Sequence, residues 1–384
     1  MYHVFGAFDR FNYGDILFAR IVDDLLNSKK TNSDRKYYSV TASDMTSDGG
    51  VITQAISSLR TKGVSPKDTI YIAGGDVLTT DWTTIIGHSS SHLTNNVLRV
   101  VRRLLGPSLG GRLAGRLYGS EFDFPFVFAP GDFPARPKVI YNAVGGSWFL
   151  KNAQHASVPR IVAKLSDATS ISVREAQACA FLNERGVPAK LRPDSAACMS
   201  LMYDRDFLAQ YRPEQLQDNP NYVVIQCALH VGRSELASIV QRATTLARHF
   251  DAQIVLLPIG TAPSHDDDKF LKLVEAELVQ AGEKATLLPQ MHIFQIMATI
   301  AGAKAYAGSS LHGAITSMSY GVPAAELIPG KVLKLAAYLG TWGTPAFELD
   351  GITMSSARAP APAEAGQTQP QMALADLKSH FGIA

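Results

Sequence analysis

Short apolar runs alternate with segments of helical period along most of the chain, and the alternation falls into two blocks. In the first block, residues 2–8 read as a strand, followed by a loop at Asn12-Tyr13-Gly14-Asp15 and a helix over 16–27. Further strands are expected at 37–40, 69–73, 138–144 and 169–173, with helices over 51–60 and 175–185, the latter stopped by Gly186. The polar stretch 203–220, punctuated by Pro213 and Pro220, reads as a crossing. Beyond it, strands at 222–226, 254–258, 285–288, 305–307 and 324–327 interleave with helices over 234–249, 268–281, 293–301, 314–320 and 331–339. A strand, a Gly-containing turn and a helix, repeated in this way, predict parallel α/β units. The expected architecture is therefore α/β, with two Rossmann-like domains facing a cleft: residues 1–202 and 221–354, joined by 203–220 and followed by a tail over 355–384. The Ala-, Pro- and Gln-rich run 357–372 cannot build a core and reads as a flexible linker, and 373–381 as a short helix docking back.

The 384 residues suffice for two separate cores, and 46% hydrophobic with 18% charged residues is ordinary for a globular protein. A net charge of +2 gives no general affinity for nucleic acid. Cys179, Cys198 and Cys227 are dispersed without CxxC spacing, so they read as buried thiols of a reducing compartment. The first residues lack a basic region followed by a long apolar run, and no apolar stretch is long enough to span a bilayer. A cytoplasmic location is expected. Within the first domain, 82–120 contains no Asp or Glu yet carries Arg99, Arg102, Arg103, Arg112 and Arg116. Val97, Leu98, Val101, Leu104 and Leu105 share helical spacing beside them. Such a basic amphipathic insert suits an anionic membrane surface or a lipid-linked pyrophosphate. The plainer alternative is a solvated Arg face whose apolar side packs on the core.

Candidate chemistry concentrates at Ala305-Tyr306-Ala307-Gly308-Ser309-Ser310-Leu311-His312-Gly313. A strand there hands over to a helix that Ser309 or Ser310 can cap. The unpaired N–H groups at a helix start favour an anion, and a His beside them can exchange protons near neutral pH. The alternative is that the serines only cap and His312 packs against the neighbouring strand. Arg174 is placed at the carboxyl end of a strand, where open α/β sheets bind ligands. Gly14 and Asp15 either meet a ligand or serve a tight turn and a helix cap, and the same choice holds for Asp76 after Gly74-Gly75. Asp194, just after Pro193, has the position of a turn residue. The acids Asp266, Asp267 and Asp268 beside His265 admit a metal reading, but three acids at a helix start suit a solvated face, and no metal is expected. His230, Arg233 and His292 stand near element ends around the same cleft.

Five segments occur in an order that resembles the polysaccharide pyruvyl transferases: Asn12-Tyr13-Gly14-Asp15-Ile16-Leu17, Ala73-Gly74-Gly75-Asp76, Ile171-Ser172-Val173-Arg174-Glu175, Pro193-Asp194-Ser195-Ala196, and Ser309-Ser310-Leu311-His312-Gly313 with Gly321-Val322-Pro323. The resemblance implies a GT-B-like fold and transfer of pyruvate from phosphoenolpyruvate to a sugar as a cyclic ketal, with no cofactor beyond that donor. It implies His312 as the catalytic proton carrier and Arg174 as the anion clamp. Ser309, Ser310, Leu311 and Gly313 would complete the donor site, with Arg192 and Lys331 in reserve. Asn12, Gly14, Asp15 and Asp76 would meet the acceptor, a sugar or lipid-linked oligosaccharide. One departure matters: some members carry Arg at the position of Ser310, so the helix start and its serines would hold the donor instead. A GT-B glycosyltransferase, with Glu326 on a ribose, and a non-catalytic carbohydrate-binding relative are the competing readings.

Overall fold

Two parallel sheets carry the molecule. The structure, a computed structural model, describes residues 1–28, 34–80, 82, 115–116, 119–218, 220–263, 265–343, 347–349, 353–354 and 366–383. The first sheet contains β1 (Tyr2–Phe5), β2 (Arg35–Ser39), β3 (Ser43–Asp44), β4 (Ile52–Ala55), β5 (Thr69–Ile72), β6 (Lys138–Val144), β7 (Ser170–Val173) and β8 (Lys190–Leu191). Their order is β3-β4-β2-β1-β5-β6-β7-β8, parallel throughout except for the β3–β4 edge. The second contains β9 (Tyr222–Gln226), β10 (Gln253–Leu256), β11 (Ala285–Leu287), β12 (Ala305–Gly308) and β13 (Ala324–Glu326) in the order β11-β10-β9-β12-β13, all parallel. Every residue of β5 and β9 is buried, as expected for strands covered on both faces. The short antiparallel pair β14 (Phe347–Glu348) and β15 (Thr353–Met354) follows. The α/β class with two Rossmann-like sheets is as the sequence predicts.

Both sheets reverse direction beside their first strand, between β1 and β5 and between β9 and β12. Open α/β sheets bind ligands at such switch points, outside the carboxyl ends of the strands. The helix Tyr13–Ser28 packs against the helices Ile293–Ala301 and Leu311–Ser319, and one apolar core runs from Val4, Phe8 and Ile16 to Ile293, Ile296 and Ile315. Asn12 forms an antiparallel bridge with Gly260, and the Tyr13 N–H donates to the Ile259 carbonyl at 2.9 Å. The C-terminal helix Gln369–His380 returns to the first domain. Leu377 is buried there, Tyr2 meets Phe381 edge-on at 4.9 Å, and Arg192 pairs with Asp376 at 3.2 Å.

Several expected elements differ. Residues 51–60 form β4 and one 3₁₀ turn, Ile56–Ser58, instead of a helix. Thr53 is buried while Ile52 and Gln54 are exposed, a period-two pattern that Val51, Ile52 and Thr53 favour through their β-branching. The helix expected over 314–320 starts at Leu311, because Ser310 caps it by accepting from the Gly313 N–H at 3.3 Å. The terminal helix begins at Gln369, inside the run read as linker. Its Pro370 lies in the first turn, where proline is tolerated, and Gln371 reaches back to the Thr368 N–H at 2.8 Å. The crossing contains a short helix, Arg205–Ala209. Of the basic insert, Arg99, Arg102, Arg103 and Arg112 lie outside the described residues, and Arg116 is exposed. Among the described residues no helix is long and apolar enough to cross a membrane.

Candidate active site

The carboxyl ends of both sheets converge on a cavity of about 220 Å³. β1 leads into Arg10, Asn12 and Asp15, β5 into Asp76, and β7 into Arg174; from the second sheet, β9 ends in Gln226 and β12 leads into Ser309, Ser310, Leu311 and His312. Thr80, His230, His265, Asp267 and Lys334 complete the polar wall.

His312 occupies the second position of the helix Leu311–Ser319. Its ring meets the Phe18 ring edge-on at 5.1 Å, and a Cβ on Gly14 would fall 1.8 Å from Nδ1. Only glycine at position 14 lets the ring lie where it does. The other ring nitrogen, Nε2, stands 3.7 Å from Asp194 Oδ2, within ion-pair range but too long for a hydrogen bond. Asp194 is buried; its Oδ2 accepts from Arg174 Nη1 at 2.7 Å and its Oδ1 from the Ala196 N–H at 2.9 Å. Burial alone would raise this carboxyl, but the His312 ring, the Arg174 guanidinium and the Ala196 N–H hold it below the ordinary value. Asp194 is therefore the counter-ion that His312 meets when it carries a proton.

Arg174 is itself buried, and its Nε donates to Glu175 Oε1 at 3.2 Å. Burial opposes its charge, yet Asp194, Glu175 and Asp76 hold it firmly protonated. Burial raises the Glu175 carboxyl despite Arg174 and the Gly146 N–H, which donates to it at 3.0 Å. Arg174 lines the cavity while its charge is answered from within. A Cβ on Gly145 would come 2.7 Å from Arg174 Nη2 and 3.1 Å from Asp76 Oδ1, so this glycine allows both to approach. Asp76 Oδ1 is buried without a hydrogen-bond partner. Asp15 faces the same space. Burial raises its carboxyl, against the pull of Arg10, His312, Lys334 and Arg174.

The serines are more committed than their position at a helix start implies. The N–H groups of Ser309 and Ser310 both donate to Gln226 Oε1, at 3.0 and 2.8 Å. Ser309 Oγ accepts from the Ala228 N–H at 3.1 Å, and Ser310 Oγ serves as the helix cap. Leu311 and His312 carry the N–H groups that a helix start leaves unbonded within the helix. Gly313 packs on the Tyr306 hydroxyl, which a Cβ would meet at 2.0 Å. Arg192 and Lys331 lie outside the cavity wall; Arg192 pairs with Asp376 and Lys331 stands 3.6 Å from Glu235.

Sequence reasoning passed over three groups that the fold brings here: Arg10, Lys334 and Gln226. Arg10 precedes the Asn12 segment by two residues, a signal available but unused. Asp267 corrects the expectation of a solvated acidic face. It is buried, and its Oδ2 accepts from Gln226 Nε2 at 2.8 Å and from the N–H groups of Ile259 and Gly260 at 3.1 and 3.0 Å. Its Oδ1 has no partner, and burial pushes the carboxyl up to about 6. Among the described residues, no group of three His, Cys, Asp or Glu is arranged to hold a metal ion. His292 lies away from the cavity wall, capping the helix Ile293–Ala301.

Paired Rossmann-like sheets with a polar cavity between their carboxyl ends define a GT-B-like α/β protein. Solved structures of the same build include two UDP-GlcNAc 2-epimerases. That of Methanocaldococcus jannaschii, in complex with UDP-GlcNAc and UDP, is 11% identical with a TM-score of 0.51, covering 99% of both chains. That of Rickettsia bellii is 11% identical with a TM-score of 0.52, covering 99% of this chain and 94% of its own. At such identity the likeness concerns the fold. No protein of curated function matches the sequence. The sequence pattern of the polysaccharide pyruvyl transferases matches residues 12–325, most of the chain, and the protein belongs to that family.

Proposed function

We propose that the protein transfers pyruvate from phosphoenolpyruvate to a sugar of a polysaccharide or its precursor, forming a pyruvate ketal. The observation that carries this reading is His312, seated on Gly14 at the cavity wall with Asp194 as counter-ion. The protonated ring gives its proton to the donor's methylene carbon, which becomes a methyl group and leaves an oxocarbenium-like carbon beside it. A sugar hydroxyl attacks that carbon, and its proton returns to the ring. The bond to phosphate then breaks, a neighbouring hydroxyl closes the ketal, and phosphate departs with the second hydroxyl proton. Each cycle thus restores His312. Asp15 and Asp76, both on the cavity wall, would accept hydrogen bonds from the sugar, while Arg174 braces Asp194.

The nucleotide-sugar reading finds less support. Glu326, its candidate ribose contact, lies outside the cavity wall and accepts from the Gly330 N–H at 2.8 Å. A lipid-linked acceptor would bring the basic segment 82–120 to an anionic membrane, which liposome co-sedimentation tests. Acceptor-dependent release of phosphate from phosphoenolpyruvate tests the activity itself. The expected result is release that requires both sugar and His312; stabilisation by a nucleotide sugar with no response to phosphoenolpyruvate would overturn it.

A further inference from the structure

We propose that Arg10 of the first domain and Lys334 of the second form a phosphate clamp across the domain boundary. Arg10 stands on the loop after β1, and Lys334 in the first turn of the helix Leu333–Trp342. Both line the cavity, and both are half-buried. Among the described residues neither side chain makes a hydrogen bond or an ion pair. The other cations considered for this role are engaged: Arg174 by Asp194 and Glu175, Arg192 by Asp376, and Lys331 by Glu235. Two charges drawn out of bulk water without a protein partner are suited to a ligand that supplies the compensation.

Both line the same cavity as Asp15 and His312, Arg10 from the loop after β1 and Lys334 from the first turn of the helix Leu333–Trp342, so one ligand held there can meet both. The clamp also accounts for what the helix start lacks. The Ser309 and Ser310 N–H groups are taken by Gln226 and Ser310 Oγ by the helix cap. An Arg fork with a Lys point charge binds a phosphate dianion from two sides. Bound phosphate would join the two domains, with the reacting carbon left toward His312. The chemical class is a phosphate-bearing small molecule, and the assignment to phosphoenolpyruvate rests on the function proposed above.

Calorimetric titration of the full chain with phosphoenolpyruvate, inorganic phosphate and UDP separates the two inferences. Arg10→Gln and Lys334→Gln should each weaken phosphoenolpyruvate about 10- to 100-fold, the range for a lost hydrogen bond to a charged group, and weaken inorganic phosphate in parallel. Arg10→Lys should recover part of the loss, and Lys272→Gln, on an exposed position of another helix, should change nothing. Circular dichroism checks each variant, and Lys334→Gln decides alone if Arg10→Gln fails to fold. If the wild type binds phosphoenolpyruvate and the double variant binds it equally, the clamp is wrong and the donor assignment stands. If phosphate or UDP binds through both residues while phosphoenolpyruvate does not bind, the clamp stands and the donor assignment falls. Failure of the wild type to bind any of the three overturns both.

Discussion

Replacing Asp267 with Asn tests whether the second domain holds a buried carboxyl on the cavity wall under strain of desolvation. The group accepts three N–H donors through one oxygen and leaves the other unpartnered, and burial pushes it from the ordinary 3.8 to about 6. Between those values the folded chain holds a proton that the unfolded chain has released. Stability from this group is therefore fully present below about pH 4 and is lost as pH rises through about 6. The interval corresponds to about 3 kcal/mol, at about 1.4 kcal/mol per pH unit. Asn occupies the same volume and does not titrate, so the difference between the two proteins isolates the group from carboxylates such as Asp194 that shift in the opposite direction. Urea unfolding at intervals from pH 4 to pH 7 measures it. The wild type should lose about 2.4 kcal/mol of this relative to Asp267→Asn across that range, mostly between pH 4 and 6. A difference that stays constant within about 0.5 kcal/mol would refute the reasoning, since additivity errors have that size.

His312→Ala should lower turnover by about 10²–10⁴-fold, the usual contribution of a general acid–base, while phosphoenolpyruvate binding persists; near wild-type turnover would remove His312 from the chemistry. Gly14→Ala keeps every polar group yet places a methyl 1.8 Å from His312 Nδ1. It should displace the ring, cost about 1–3 kcal/mol of stability in urea unfolding and reduce turnover about 100-fold, and unchanged turnover would show that the ring's position is not decisive. Arg174→Gln leaves Asp194 and Glu175 buried without their cation and should destabilise by about 3–5 kcal/mol in the same assay. Arg174→Lys keeps the charge and should lose less; equal losses for both would mean that geometry, not charge, sets the value.

The parts of the site that could be read from sequence are those where an element end coincides with an unusual residue. His312 follows a strand and two serines, Arg174 follows directly on β7, and Asp76 follows two glycines whose φ angles of +137° and +85° only glycine adopts without strain. Asp194 was read as a turn residue, and locally it is one, accepting from Ala196. Its place opposite His312 comes from packing between domains, which no local pattern records. Asp267 looked like a surface acid because its neighbours are acidic. Only the approach of Gln226, Ile259 and Gly260 encloses it. Lys331 lies before the helix Leu333–Trp342 and Lys334 in its first turn, and the burial of Leu335 and Tyr338 sets how that helix sits. The 51–60 segment failed for a different reason: its apolar residues satisfy either period over a short run, and edge pairing with β2 decides for a strand.

The Asn12-Tyr13-Gly14-Asp15 segment explains why chemistry and domain docking are inseparable in this chain. Asn12 bridges to Gly260 through the backbone and approaches His265 at 3.5 Å, and the Tyr13 N–H reaches the Ile259 carbonyl. The Tyr13 hydroxyl then bonds Thr316 at 2.9 Å, on the same helix that carries His312. Gly14 is the surface on which that histidine rests, and Asn12 and Asp15 line the cavity. Three of the four residues thus fasten the second domain at the spot where His312 stands. Each fastening bond contributes only about 1 kcal/mol, yet all act on one helix and one loop, so they fix orientation more than stability. A shift of the domains along this seam would move His312 away from Asp194 and Asp15 together. The first domain supplies Asp15, Asp76 and Arg174 and the second Asp267 and His312, so the cavity wall draws its charged groups from both.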